Sequence, residues 1–322
     1  GSISVVTEDN PVTVNTTGVA AMGSGDVTLI SGGAGQNIDI DAGISSTSGG
    51  IEITASGAID QDADISSNEG FVDVTAQGGS IAMVLTRSTT STSGNIRYQA
   101  SGDITTGTIN STAGGNITVI AAGDIGQQNN LSAVGGDIYV EATAGSIAMT
   151  AGTSSTISGS SIRYAAGTSA SIALLDGSTG DVSVVAGTTI TETTTAAAVE
   201  IIAASLRLNA GSGIGAFGAD GALDIQVDTI SAVTGTGGIS LNETGGITID
   251  SVTVTTAEVQ EDGTIVNVTD AAQSDVATGG AAPIVLTTGN ADGAIVAGAH
   301  TGPAAGNTTL RILDPTSLTQ TT

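Results

Sequence analysis

The tetrapeptide Ser80-Ile81-Ala82-Met83 returns as Ser146-Ile147-Ala148-Met149, and Ile96-Arg97-Tyr98 returns at the same distance as Ile162-Arg163-Tyr164. A chain that repeats at a fixed spacing builds its fold from stacked copies of one small unit, since no single copy can bury its apolar face alone. The long repeat, sixty-six positions from one copy to the next, divides further. A Gly-rich turn followed by an aliphatic-x-aliphatic pair recurs at Val27/Leu29, Ile51/Ile53, Val72/Val74, Ile96/Tyr98, Ile117/Val119, Ile138/Val140, Ile162/Tyr164 and Val182/Val184. The numbering advances from pair to pair in steps of 24, 21, 24, 21, 21, 24 and 20, so three coils make one long repeat. Later pairs follow at Ile225/Val227 and Ile239/Leu241.

Each coil carries more than one short strand. A second aliphatic position follows the pair at Ile81, Ile104, Ile125, Ile147 and Ile172, and a third falls at Ile44, Ile65, Ile109 and Leu131. Period-two alternation sends these side chains to one side of each strand. The reading is an all-β parallel β-helix, or β-solenoid, with coils of about 20 to 24 residues and a dozen or more coils in total. Residues 1–250 are expected to form the regular solenoid. Residues 251–322 are expected to continue it more loosely or to end in an irregular capping segment. In that stretch Glu261-Asp262-Gly263 and Asn290-Ala291-Asp292-Gly293 read as turns. Ile265–Val268 reads as a strand with Val266 and Val268 inward, and 284–286 and 310–312 also read as strands.

Composition fits that frame. Aromatics are 2% of the chain and Trp is absent, whereas Gly supplies 48 residues. A narrow interior of stacked Ile, Val and Leu has little room for large rings, and tight corners use Gly. The residue before the aliphatic pair is Asp26, Asn95, Asn116, Asp137, Ser161 and Asp181. Stacked in register, these side chains form a hydrogen-bonded ladder along one corner. The middle residue of the pair faces outward, and Arg97 falls one coil from Asp73 as a cross-strand ion pair.

The formal net charge is −26, with five Arg and no Lys. Phosphate recognition needs a basic surface, so nucleic acid is not an expected partner, and anionic membrane surfaces are disfavoured likewise. No apolar run reaches the ~18 to 20 residues of a membrane helix, so membrane insertion is not expected. The absence of Cys excludes disulfides and Cys-based zinc sites. No basic and apolar leader opens the chain, which reads as a mature fragment or an excerpt of something longer.

The segment Gly114-Gly115-Asn116-Ile117-Thr118-Val119-Ile120-Ala121-Ala122-Gly123-Asp124-Ile125 resembles the repeats of filamentous-haemagglutinin-like exoproteins, very large bacterial surface or secreted adhesins with β-helical shafts. The resemblance covers roughly residues 20 to 250. It implies a shaft, spacer or adhesive surface at the cell surface or outside the cell, and it transfers no catalytic residue.

Site chemistry is sparse. Asp60, Asp62 and Asp64 alternate along one segment, as do Asn37, Asp39 and Asp41. Each trio would share a strand face, where paired carboxylates could serve a glycosidase or oxygen ligands could serve calcium. Outward, solvated residues or turn caps account for them equally well. Asp39, Asp41, Asp60, Asp62 and Asp64 are therefore the calcium candidates. Calcium is the one cofactor considered, and tandem calcium-binding nonapeptides and EF-hands are missing. His300 is the only His and has no companion motif. Tyr98 and Tyr164 occupy inward slots, which leaves Tyr139 as the tyrosine available to a glycan. Sequons at Asn15, Asn116 and Asn307 are expected of a Thr-rich composition.

These features favour a non-catalytic, extracellular structural or adhesive shaft segment. Its expected partners are further copies, end to end or side by side, and host or matrix glycans. The alternatives are a carbohydrate-active β-helix enzyme, either lyase or glycosidase, and a cation-dependent matrix or sheath protein.

Overall fold

The structure, a computed structural model, describes residues 1–193, 198–218, 220–279 and 282–288, together with the strands Ile295–Ala297 and Leu310–Ile312. The predicted turn at 290–293, His300 and Asn307 lie outside the described residues. The architecture is a parallel β-solenoid of about ten turns, without helix among the described residues.

Three columns of strands run the length of the stack. The first contains the aliphatic pairs, with Ile3, Val27, Ile51, Val72, Ile96, Ile117, Ile138, Ile162, Val182, Leu206 and Ile230 in continuous register. The second aligns Val12, Ile38, Ile59, Ile81, Ile104, Ile125 and Ile147. The third aligns Val19, Ile44, Ile65, Thr89, Ile109, Leu131 and Ser155. Nearly all of these aliphatics are buried, each contributing ~1.5–3 kcal/mol relative to exposure. Three sequence-based assignments shift. Ala170, not Ile172, stacks on Ile147, and Ile172 sits further along the same strand. Ile225 and Val227 stack on Ile201 and Ala203 in the third column, the first-column level there being Ile230 on Leu206, and Ile239 stacks on Ile214 in the second column.

Close stacking explains one glycine column. A Cβ on Gly94 would lie 2.0 Å from the carbonyl oxygen of Gly70, and one on Gly70 would lie 1.9 Å from that of Gly49. The polar ladder forms on the same corner, one residue further along the chain. The Asn116 N–H donates to Asn95 Oδ1, the Asp137 N–H to Asn116 Oδ1 and the Ser161 N–H to Asp137 Oδ1, each at 2.8 Å. Side-chain acceptors thus pair backbone donors that the turns would otherwise leave unmatched.

Two interior positions break the aliphatic rule in the same way. Tyr98 donates to Gln61 Oε1 at 2.7 Å and shares a hydrogen bond with Thr89 Oγ1. One long repeat further on, Tyr164 donates to Gln127 Oε1 at 2.6 Å and meets Ser155 Oγ at 2.6 Å. A ring fits inside because the third column shrinks to Thr89 and Ser155 beside it. Gln61 and Gln127 then pair the phenol, which a dry interior requires.

From Ser251 the chain leaves the coil. Val252–Val259 and Ile265–Gln273 form an antiparallel hairpin, the strap, as a separate two-stranded sheet. It lies on the outer face of the first column, whose outward residues Asp73, Arg97, Thr118, Tyr139, Ser183, Arg207 and Ser231 are consequently buried. Its inward side chains include Val252, Val254, Thr256 and Val259. Ile265 and Val266 are half exposed, so the expected inward placement of Val266 does not hold: the strand there packs on the hairpin, not into the solenoid. The chain then rejoins the solenoid at Val276–Thr278 and Ile284–Thr288.

Candidate functional site

The strap face concentrates the positive charge. Arg97, Arg163 and Arg207, three of the five arginines, stand one above another on the first column, while the strap carries Glu258, Glu261, Asp262 and Asp270. Arg163 reaches Glu141 at 3.0 Å and Asp270 at 3.1 Å, with its guanidinium 5.0 Å from the centre of the Tyr139 ring. Tyr139 also donates to Glu141, and burial first of all pushes its phenol well above the usual range. The glycan-facing role read for Tyr139 is corrected here, because the strap covers the ring and leaves it 4% exposed.

The Arg97–Asp73 pair read from the coil step is present, and Thr75 donates to the same carboxylate at 3.0 Å. Asp73 is fully buried. Its carboxyl is pushed up to about 6, chiefly by burial, with Arg97 opposing and Glu261 at the strap tip adding to the rise. Burial outweighs the attraction of the arginine, as expected when two charges leave water together.

At the strap tip, Glu52, Phe71, Gln260, Glu261, Asp262 and Thr264 line a cleft of about 750 Å³. Thr264 donates to Asp262 through both its hydroxyl and its N–H, which holds that exposed carboxyl below its ordinary range. This cleft offers the carboxylates and the aromatic edge that a carbohydrate-active site would use.

The calcium candidates divide into two groups. Asp39, Asp41, Asp60 and Asp62 come together on the outside of the second column, where Asp39 stacks on Asp60. Asp39 is raised, first by burial and then by Asp60, Asp41 and Asp62. Asp64 stands apart as a corner residue, accepting from the Ser88 N–H at 2.8 Å. Asn37 caps another corner by accepting from the Ala58 N–H at 2.9 Å. Asn116 is engaged in the ladder, whereas Asn15 is exposed.

Among the described residues, the one set of three carboxylates whose oxygens lie within 4.8 Å of one another is Glu192, Glu200 and Asp224. Glu200 is buried and accepts from the Asp224 N–H at 2.9 Å. Its carboxyl is pushed up to about 8, mainly by burial, with Glu192 and Asp224 adding repulsion. Glu192 is raised too, by burial and then by Asp224 and Asp220, and its Oε1 is buried without a hydrogen-bond partner. Three oxygens could contribute to a divalent-cation shell, for which calcium takes about 6 to 8. Without a cation, the protonated form of Glu200 that burial favours relieves the repulsion. Sequence reading passed over this group because it followed alternation within a strand. The signal was the coil step: Ile201 stacks on Ile225, so Glu200 and Asp224 fall at neighbouring levels.

Comparison with known proteins finds no match, whether to a family model, to a curated protein or to a solved structure. Among the described residues no helix is long and apolar enough to cross a membrane.

Proposed function

We propose that this chain is a non-catalytic shaft segment of a large repetitive extracellular protein, of the kind its repeat text resembles in filamentous-haemagglutinin-like adhesins. The observation that carries this reading is the unbroken first column. Its strand levels from Ile3 to Ile230 keep one register while their corners satisfy one another by side-chain ladders. Such a stack advances ~4.8 Å per level, so about ten turns extend on the order of 50 Å. The fold spends its sequence on length and on self-matching edges. The acidic outer surface keeps neighbouring shafts apart until a cation or a specific contact joins them.

The test has two parts. Protease shaving of intact source cells, followed by detection of the chain, should release it from the surface; retention inside the cells would overturn the location. Incubation with a panel of neutral and acidic polysaccharides, with and without calcium, should yield no new reducing ends or unsaturated products. Cleavage abolished by Glu52→Gln or Glu261→Gln would replace the shaft reading with an enzyme acting at the strap-tip cleft.

A further inference from the structure

The strap is an insertion into a single coil strand, and the pairing on either side of it shows this. Ile230 pairs with Ile249, whereas Ala232, only two positions further along the same strand, pairs with Val276. The neighbouring strand therefore breaks off after Ile249 and resumes in register at Val276, and the chain between is the strap with its two joints. The coil neither tilts nor slips to admit them, since Val233 and Thr234 go on to pair with Ala277 and Thr278.

The inserted hairpin runs back along the stack and is fastened level by level. Gln273 donates to Ser231 Oγ and to the Leu208 carbonyl, both at 2.8 Å. Arg207 Nε donates to the Ala271 carbonyl at 3.1 Å, and Arg163 pairs with Asp270. The Ala257 N–H donates to Asp137 Oδ2 at 2.7 Å and the Val259 N–H to Thr118 Oγ1 at 2.8 Å. At the tip, Asn95 Nδ2 donates to the Gly263 carbonyl at 2.8 Å, and Gly263 lies against the Phe71 ring. The dimensions agree. A strand of the length of Ile265–Gln273 spans ~30 Å, and the six steps from the Ile96 level to the Ile230 level span ~29 Å. Strand ladders of a solenoid coil pair only with the coils directly above and below, and even the interior tyrosines reach back no further than two coils, so a plain stack opens in small steps. A hairpin bonded to levels far apart removes that freedom.

We propose that the strap is a splint that fuses the coils between Phe71 and Thr234 into one cooperative opening unit, leaving the coils of 3–55 to open independently. The boundary falls at the strap tip, beyond which the outward residues Ser4, Thr28 and Glu52 are no longer covered. This goes beyond the shaft reading and stands without it, as it concerns how the stack yields rather than where it works.

Hydrogen exchange followed by mass spectrometry tests it, on the intact chain and on a variant lacking 251–275 in which Asp250 is joined to Val276. In the intact chain, strand peptides from 72–234 should share one opening rate, and those from 3–55 should open faster and separately. In the deletion variant, peptides from 96–210 should exchange at least tenfold faster and with graded rates, while those from 3–55 stay within twofold. A single rate for 3–55 and 72–234 in the intact chain overturns the proposal, as does a deletion that leaves 96–210 within twofold. If the deletion variant does not fold, Ala257→Pro with Val259→Pro removes two strap-to-face donors that the hairpin ladder does not use. That variant should speed 96–210 at least threefold relative to 3–55, and equal change in both segments refutes the splint.

Discussion

Arg163 and Asp270 meet at 3.1 Å although 107 positions of chain separate them. The contact closes the strap onto the middle of the stack, and the same guanidinium holds Glu141 and covers the Tyr139 ring. Lysine could not keep all three contacts, because it lacks a planar fork. Arg163→Lys should therefore lower stability by about 1.5–3 kcal/mol, the scale of a hydrogen bond to a charged group. Denaturant melts of the two proteins measure this, and an unchanged midpoint would argue that the strap is held by its apolar side alone.

Asp73 provides a charge that can be removed. Asp73→Asn leaves Arg97 under the strap without its counter-ion, and losing one member of a buried pair costs about 3–5 kcal/mol. Adding Arg97→Gln should restore much of that loss. A double variant no more stable than the single one would show that the pair's value lies in packing instead of charge.

The pH response follows from two carboxyls whose folded values are raised. Glu200 stands at about 8 when folded against an ordinary 4.5, and Asp73 at about 6 against 3.8. In each case the folded state binds more protons than the unfolded state between the two values. The resulting stabilisation is complete below the unfolded value and is lost as pH rises through the folded one. Stability should thus decline from about pH 4.5 towards 8 on account of Glu200, and Glu200→Gln should flatten that slope. Thermal melts from pH 5 to 8.5 read the difference, and parallel curves for the two proteins would contradict the assignment.

The paired tyrosines allow a test of independence. Tyr98→Phe takes the phenol donor from Gln61 Oε1, and Tyr164→Phe leaves Gln127 Oε1 only the longer bond from Ser155 Oγ, each at about 1–3 kcal/mol. The two sites lie three coils apart, ~14 Å, beyond the range over which substitutions usually couple. Their losses should add to within about 0.5 kcal/mol. A markedly smaller combined loss in denaturant titrations would mean that the two interior networks communicate.

Gly94→Ala tests the stacking distance itself. The added methyl would meet the Gly70 carbonyl at 2.0 Å, and backbone cannot give way as a flexible side chain can. The cost in a denaturant melt should be about 3 kcal/mol, at the upper end of overpacking in a filled core. The same change at Gly23, where nothing lies within 4 Å of the new carbon, meets no atomic clash and costs only its positive φ of 67°. Equal losses at the two positions would show that the stack relaxes around the methyl.

The sequence made the stack readable because its physics is local in coil units. Val72, Ile96 and Ile117 announce their column by a period of two within the strand and by steps of 24 and 21 between strands. The Arg97–Asp73 pair was legible for the same reason. Ile172 was misplaced because Ala170, a weaker apolar signal, takes the stacking position. The strap was not legible. The partners of Asp137 and Thr118 lie 120 and 141 positions away, and no periodic signal links such positions. Tyr139 therefore looked exposed by alternation, which is true of its strand but not of the folded chain. Glu200 and Asp224 could have been found by applying the coil step to charged residues as well as to aliphatic ones.

The interior tyrosines restrict how a chain of this kind can lengthen. Tyr98 needs Thr89 from the preceding coil and Gln61 from the one before that, and Tyr164 needs Ser155 and Gln127 in the same relation. Copying one coil alone would place a ring beside a full-sized isoleucine, or strand a glutamine in a dry interior. Copying three together carries each ring with its own notch and its own acceptor. Growth by gene duplication is then quantised, in steps of three coils and ~14 Å of rod, and relatives of different length should differ by whole multiples of that step.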